Sequence, residues 1–207
     1  MKTALAGAAL LLTAALFAAC GSDGDATATD PAAPRPSAGR PTAVPAAPGP
    51  VHTAGLVTVM DTGTPEVCLG PVAESYPPQC SGPELLGWDW GDHDGMFEEQ
   101  GDVRWGQFAL TGTWDGKRLT STQAVPAPLY DALPVEGPAY PAPAARLDGA
   151  ELEVVRGEVA DLPGAQGAYV DGPRVLVDVT YDDGTLQDWA DTTYGESVVV
   201  VHSMLVS

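Results

Sequence analysis

The 207-residue sequence has no Asn and no Ile, and Lys occurs only at positions 2 and 117. Their codons are AT-rich, so this scarcity beside abundant Ala, Gly, Pro, Asp and Val is the mark of a high-GC genome. Cations are few: 9 Lys plus Arg face 28 Asp plus Glu, for a net charge of −19. Phosphate neutralisation needs a cationic surface, which excludes nucleic acid as a partner. Histidine occurs three times, as His52, His93 and His202, and no two share a helix face or a short motif that binds zinc. There is no Walker loop, no dinucleotide fingerprint and no metalloprotease His pair. The nearest approach to a nucleophile elbow, Gly195-Glu196-Ser197-Val198-Val199, lacks the closing Gly and precedes a strand where the motif demands a helix. No catalytic residue, no metal ligand and no cofactor is therefore assigned.

What is present begins with a leader. After Met1 and Lys2, residues 4–19 are Ala, Leu, Phe, Gly and a single Thr. This apolar run of about 16 residues falls short of the roughly 18 to 20 that span a hydrocarbon core, and acidic and polar residues follow it. It reads as a cleaved signal peptide over residues 1–19. Leu16-Phe17-Ala18-Ala19-Cys20 resembles the bacterial lipobox, with Phe17 where Leu is commoner, so Cys20 is the expected lipid attachment. Two acyl chains anchor stably where one does so marginally, because each buried CH₂ contributes about 0.8 kcal/mol. The expected location is the extracytoplasmic face of the cell membrane, with the membrane as a partner through the lipid.

Acylation of Cys20 leaves Cys68 and Cys80, a pair in an oxidising compartment. A disulfide between them closes a loop of about a dozen residues, for which chain entropy gives roughly 3 kcal/mol. A metal is the other reading of the pair, but two thiolates with no neighbouring His or Cys make a poor zinc site.

Composition divides the rest. Residues 20–50 are nearly all small or polar, with prolines at 31, 34, 36, 41, 45, 48 and 50, and read as a disordered tether. At about 3.1 Å per residue, its roughly 30 residues reach about 90 Å. Residues 51–125 read as all-β: short apolar runs flank Asp61-Thr62-Gly63-Thr64-Pro65, and large apolar Phe108, Leu110 and Trp114 alternate with polar neighbours. Asp115-Gly116 suits a two-residue type I′ hairpin turn returning at Leu119. Residues 126–147 form a proline-rich connector. Residues 148–207 change character. Asp148 and Glu151 stand as N-cap and N3 of a helix over 149–162, the spacing of Val175, Val177 and Val179 predicts a strand, and a short helix opens at Thr185 and ends at Gly195. A strand from Val198 onward completes a strand-helix-strand unit, which predicts parallel pairing. The fold class expected is α+β: a small OB-like all-β barrel stapled by a disulfide, followed by a small αβαβ layer.

Val67-Cys68-Leu69-Gly70, Ser75-Tyr76-Pro77-Pro78-Gln79-Cys80, Gly87-Trp88-Asp89-Trp90 and the hairpin Leu110-Thr111-Gly112-Thr113-Trp114-Asp115-Gly116 resemble a group of secreted or lipid-anchored actinobacterial proteins. Asp182-Asp183-Gly184-Thr185-Leu186-Gln187 before Tyr194-Gly195 is similar to their ending. The resemblance implies a secreted lipoprotein with a disulfide, and implies no activity.

The densest polar cluster is Asp89, Asp92, Asp94, Glu98, Glu99 and Asp102. Carboxylates in a Gly-containing loop collect hard ligands for Ca²⁺, yet placing Gly95 at the EF-hand's sixth position puts Trp90 at the first and Gly101 at the twelfth. A solvated acidic loop is the competing reading. Trp88 and Trp90 flank Asp89 and share a face if that segment is extended. Trp88, Asp89, Trp90, Asp92 and Asp94 are accordingly the candidate binding surface for a small ligand or an envelope protein. The function expected is a non-enzymatic, lipid-anchored envelope binding module. The alternative is an envelope hydrolase using the acidic loop 89–102, which requires Asp89, Glu98 or His93 to converge in a pocket.

Overall fold

A computed structural model describes residues 39–131 and 139–207. The leader, Cys20, the tether up to residue 38 and residues 132–138 of the connector lie outside the described residues. The chain forms β1 (Pro50–Thr53), β2 (Val57–Asp61), β3 (Pro65–Cys68), β4 (Leu85–Leu86), β5 (Glu98–Gln100), β6 (Val103–Trp114) and β7 (Leu119–Pro126). Then come α1 (Gly149–Val159), β8 (Ala165–Asp171), β9 (Arg174–Val179), α2 (Thr185–Tyr194), β10 (Val199–Ser203) and β11 (Leu205–Val206).

The spine is β6. On one side it pairs antiparallel first with β2 and then with β1; on the other it pairs with β5 and then with β7. One strand engaging four partners curls the sheet into an antiparallel half-barrel. Where β6 passes from β2 to β1, the Leu110 N–H is met by a side chain, the buried Thr53 hydroxyl at the end of β1, which accepts from it at 3.0 Å. This satisfies a buried donor that would otherwise cost free energy. The alternation along β6 is borne out: Phe108, Leu110 and Trp114 are buried inside with Val51, Val59, Val67, Leu119 and Leu205. Gly112 sits at a bulge opposite β7, where an added Cβ would come within 2.1 Å of the Thr120 carbonyl oxygen.

The hairpin turn differs from expectation. Trp114 pairs with Leu119, so four residues intervene between the strands. The Asp115 carboxylate accepts from the backbone of Lys117 and Arg118 at 2.8 and 2.7 Å, and this side-chain turn outcompetes the two-residue one.

In the C-terminal half the capping box of α1 is present, with Asp148 accepting from the Glu151 N–H and Glu151 from the Asp148 N–H. The helix stops at Val159, short of the expected 162. Pro163 disfavours helical geometry in the residue before it. α2 runs as expected from Thr185 to Tyr194 and closes on Gly195 at φ +98. β9 and β10 pair in parallel around it. The αβαβ expectation needs one correction: β8 precedes β9 and pairs with it antiparallel, so the order is αββαβ. Leu152, Val155 and Val159 of α1 and Leu186, Trp189 and Ala190 of α2 share one core with Val175, Val177, Val179 and Val199 of the three-stranded sheet.

The tether expectation changes too, because residues 40–50 lie against the fold. The Arg40 guanidinium donates to the Glu158 carbonyl oxygen at 3.0 Å and stands over the Trp189 ring. The Ala47 N–H donates to the Trp114 carbonyl oxygen, and the Trp114 indole N–H to that of Pro45. Beside Arg40, the Tyr194 hydroxyl donates to Glu158 Oε2 at 2.7 Å. Burial first, and then the adjoining carboxylate, push the Tyr194 pKa up to about 12 from an ordinary value of 10.0. A folded-state pKa above the unfolded one stabilises the fold below the unfolded value, and that stabilisation is lost as pH rises from 10 through about 12. Ultraviolet titration is expected to show a late-ionising tyrosine that Tyr194→Phe removes. An unchanged titration curve would refute the assignment.

Candidate functional site

The disulfide between Cys68 and Cys80 is present, with Cα atoms 5.9 Å apart. Its loop is folded on itself: the Ala73 N–H donates to the Gln79 carbonyl oxygen, and the Ser75 hydroxyl to that of Pro77. Cys68 is buried at the end of β3 in a small cluster with Met60 and Trp105. These residues lie on the outer face of the half-barrel, since alternation sends Trp105 and Gln107 away from the face that buries Phe108. The pinned loop therefore overhangs the outside of the sheet.

Between this loop and the segment leading into β5 is an open cleft of about 680 Å³. Its floor is Thr58 on β2 with Trp105 and Gln107 on β6, Thr58 and Gln107 being directly paired. One wall is Val72, Ser75, Tyr76 and Pro78 of the disulfide loop. The opposite wall is Gly95, Met96, Phe97 and Glu98, and Pro128 also borders the space. Tyr76 meets Trp105 edge to face, with ring centroids 5.3 Å apart and planes at 89°. Trp105 is 7% exposed and Tyr76 is 68% exposed, so one ring is a fixed floor and the other a wall standing in solvent. Glu98 is the sole carboxylate in the lining, which contains no Lys, Arg or His.

The residues singled out from sequence lie elsewhere. Residues 87–94 are not one strand: Gly87 has φ +69, Asp89 is extended, and a 3₁₀ turn covers Trp90–His93. Asp89 caps that turn, its carboxylate accepting from the Gly91 N–H at 2.8 Å. Trp88 and Trp90 turn to the same side, onto Phe108, but that side is packed core and not an open surface; they meet edge to face at 5.2 Å. Trp90 is buried, with its indole N–H donating to Asp61, and both indoles lean on Phe108. His93 stacks on Trp88 at 4.4 Å. Asp92 and Asp94 remain exposed. Glu99 pairs with Arg104 across strands at 3.6 Å, an exposed ion pair. Of Asp89, His93 and Glu98, only Glu98 borders the cleft. Among the described residues no group of three or more His, Cys, Asp or Glu is placed to hold a metal ion.

Tyr76, Gln107 and Phe97 were not legible as a site from sequence. The available signal was the outward register of Trp105 and Gln107 on a strand whose other face is core, together with an aromatic residue inside the cysteine loop. No helix among the described residues is long and apolar enough to cross a membrane. No family model, no curated protein and no solved structure matches the chain.

Proposed function

We propose that the chain is a non-enzymatic binding module, held by lipid at Cys20 on the extracytoplasmic face of a cell membrane, that receives a small ligand or part of an envelope protein in the cleft. The observation that carries the binding reading is the corner made by Tyr76 and Trp105, an exposed aromatic wall on a rigid aromatic floor, held in place by a disulfide. Sites for small ligands are concave, about 300–1,000 Å³, mainly apolar, and carry a few placed polar groups. A cleft of about 680 Å³ with Glu98, Gln107, Ser75 and Thr58 among apolar walls meets that description. The OB-like reading of the half-barrel belongs to the same proposal and is supported by the curl of its antiparallel sheet around β6. Fold likeness alone would carry no function.

The anchor reading rests on the leader and on Cys20. Because the chain is already docked at Arg40, about 20 residues would separate lipid from fold, a reach of about 60 Å at about 3.1 Å per residue. Expressed in a bacterial host, the chain is expected to take up an alkyne-tagged fatty acid and sediment with membranes, and Cys20→Ala to do neither. Label retained by Cys20→Ala would overturn the anchor. For the cleft, a photoreactive benzoylphenylalanine at position 76 is expected to crosslink an envelope component in cells, while the same residue at position 92 does not. Absence of any adduct at position 76 would overturn the cleft as a binding site.

A further inference from the structure

We infer that the cleft takes a neutral glycan chain, a reading that rests on the cleft being the binding site proposed above. Charge narrows the choice first. The lining holds one carboxylate and no Lys, Arg or His, within a chain of net charge −19. Polyanionic ligands are repelled, and a single Glu98 is too little to hold a strongly basic one.

Backbone geometry narrows it further. An extended peptide gains affinity by adding to a free sheet edge. Beneath the cleft β6 is paired on both sides only as far as Trp105, with β2 and with β5, and the free edge nearby is the three-residue β5, whose Glu98, Glu99 and Gln100 are all exposed. The polar side chains at its border, Glu98 and Gln107, are the groups a hydroxyl-rich ligand would meet. The Gln107 amide and the Glu98 carboxylate make no hydrogen bond within the described residues and stand at the solvent edge. Both are planar two-point groups, matched to the adjacent hydroxyls of a sugar ring.

The aromatic corner supplies the complement. A pyranose has one face of C–H groups and a girdle of hydroxyls, so it stacks on an aromatic ring while bonding polar groups at its edge. Tyr76 is the most exposed large apolar side chain among the described residues, and its ring stands perpendicular to the Trp105 floor. A sugar seated there covers apolar surface that water now wets, and leaves its hydroxyls directed to Glu98 and Gln107. The volume of about 680 Å³ and the open ends accommodate more than one ring, which favours a chain over a lone monosaccharide.

The test uses the full-length chain in detergent and a panel of neutral hexasaccharides: β-1,4-glucan, β-1,3-glucan, α-1,4-glucan, mannan, galactan and arabinan. Binding is read by intrinsic tryptophan fluorescence, because Trp105 lies in the floor. At least one hexasaccharide is expected to bind saturably, with affinity reduced roughly tenfold or more by Tyr76→Ala and by Gln107→Ala. Asp92→Asn, outside the cleft, is expected to leave it unchanged. Near-ultraviolet circular dichroism identical to that of the parent excludes misfolding of the variants. Saturable binding that survives Tyr76→Ala and Gln107→Ala, or no binding by any hexasaccharide at millimolar concentration, overturns the glycan assignment. Should the position-76 crosslink form in cells while every hexasaccharide fails, the cleft reading stands and only the glycan falls.

Discussion

Phe108→Ala is expected to destabilise the fold by about 3–5 kcal/mol, the cost of removing a fully buried aromatic whose site cannot collapse. Phe108 is 0% exposed, and three rings rest on it: Trp88 at 4.8 Å, His93 at 5.0 Å and Trp90 at 6.3 Å. These partners come from a tight turn, held by the Asp89 cap and by the Trp90 indole donating to Asp61, so they cannot follow a receding side chain without breaking those bonds. A cavity is left, and the loss exceeds the transfer term alone. Most domains have only about 5–15 kcal/mol to lose. Urea unfolding is expected to show a much lower midpoint at an unchanged slope, with weaker near-ultraviolet dichroism from the Trp88 and Trp90 pair. A loss under about 1 kcal/mol would mean that this aromatic cluster is not the core of the half-barrel.

The same cluster shows why the sequence was legible in some places and opaque in others. Along β6, large Phe108, Leu110 and Trp114 on even positions, with Gln107, Thr111 and Thr113 between them, announce both the strand and its buried face, because a half-buried strand has a period of two. The box formed by Asp148 and Glu151 announced α1, because the chemistry lies within four consecutive residues. β8 carried no such mark: Ala165, Gln166, Gly167 and Ala168 are small or polar, and all are half-buried, so there was no alternation to read. Trp88 and Trp90 do turn to one side about the extended Asp89, and what their spacing cannot tell is that this side is core. Once Gly87 enters a positive φ and Asp89 bonds back to Gly91, the two indoles rotate onto Phe108. The docking of residues 40–47 was hidden for a related reason. Pro, Ala and Val in that stretch contribute little by composition, and their partners Trp114, Glu158 and Trp189 are far away in sequence. The cleft is the most non-local feature of all, needing strand register, a disulfide and an aromatic turn to meet on the outside of the sheet.

That dependence makes the bridge the second large effect. The variant carrying both Cys68→Ala and Cys80→Ala is expected to lose about 3 kcal/mol, chiefly because the unfolded chain is freed of a closed loop. The apolar replacement avoids burying a new hydroxyl at position 68, which is 3% exposed. The consequence for the site is expected to be disproportionate. On its own the loop has the Ala73–Gln79 pairing and the Ser75–Pro77 bond, while its hold on the sheet is the contact of Val72 and Cys80 with Met60 and Trp105. Without the bridge, Tyr76 is expected to leave its edge-to-face seat on Trp105, removing one wall of the cleft while the half-barrel core around Phe108 persists. Amide hydrogen exchange separates the two effects. Protection at Ala73 and Ser75 should fall to that of an open loop, whereas amides of β6 should lose only the global increment. If both sets of amides decline equally, the bridge is a stabiliser of the whole fold and has no special part in holding the cleft open.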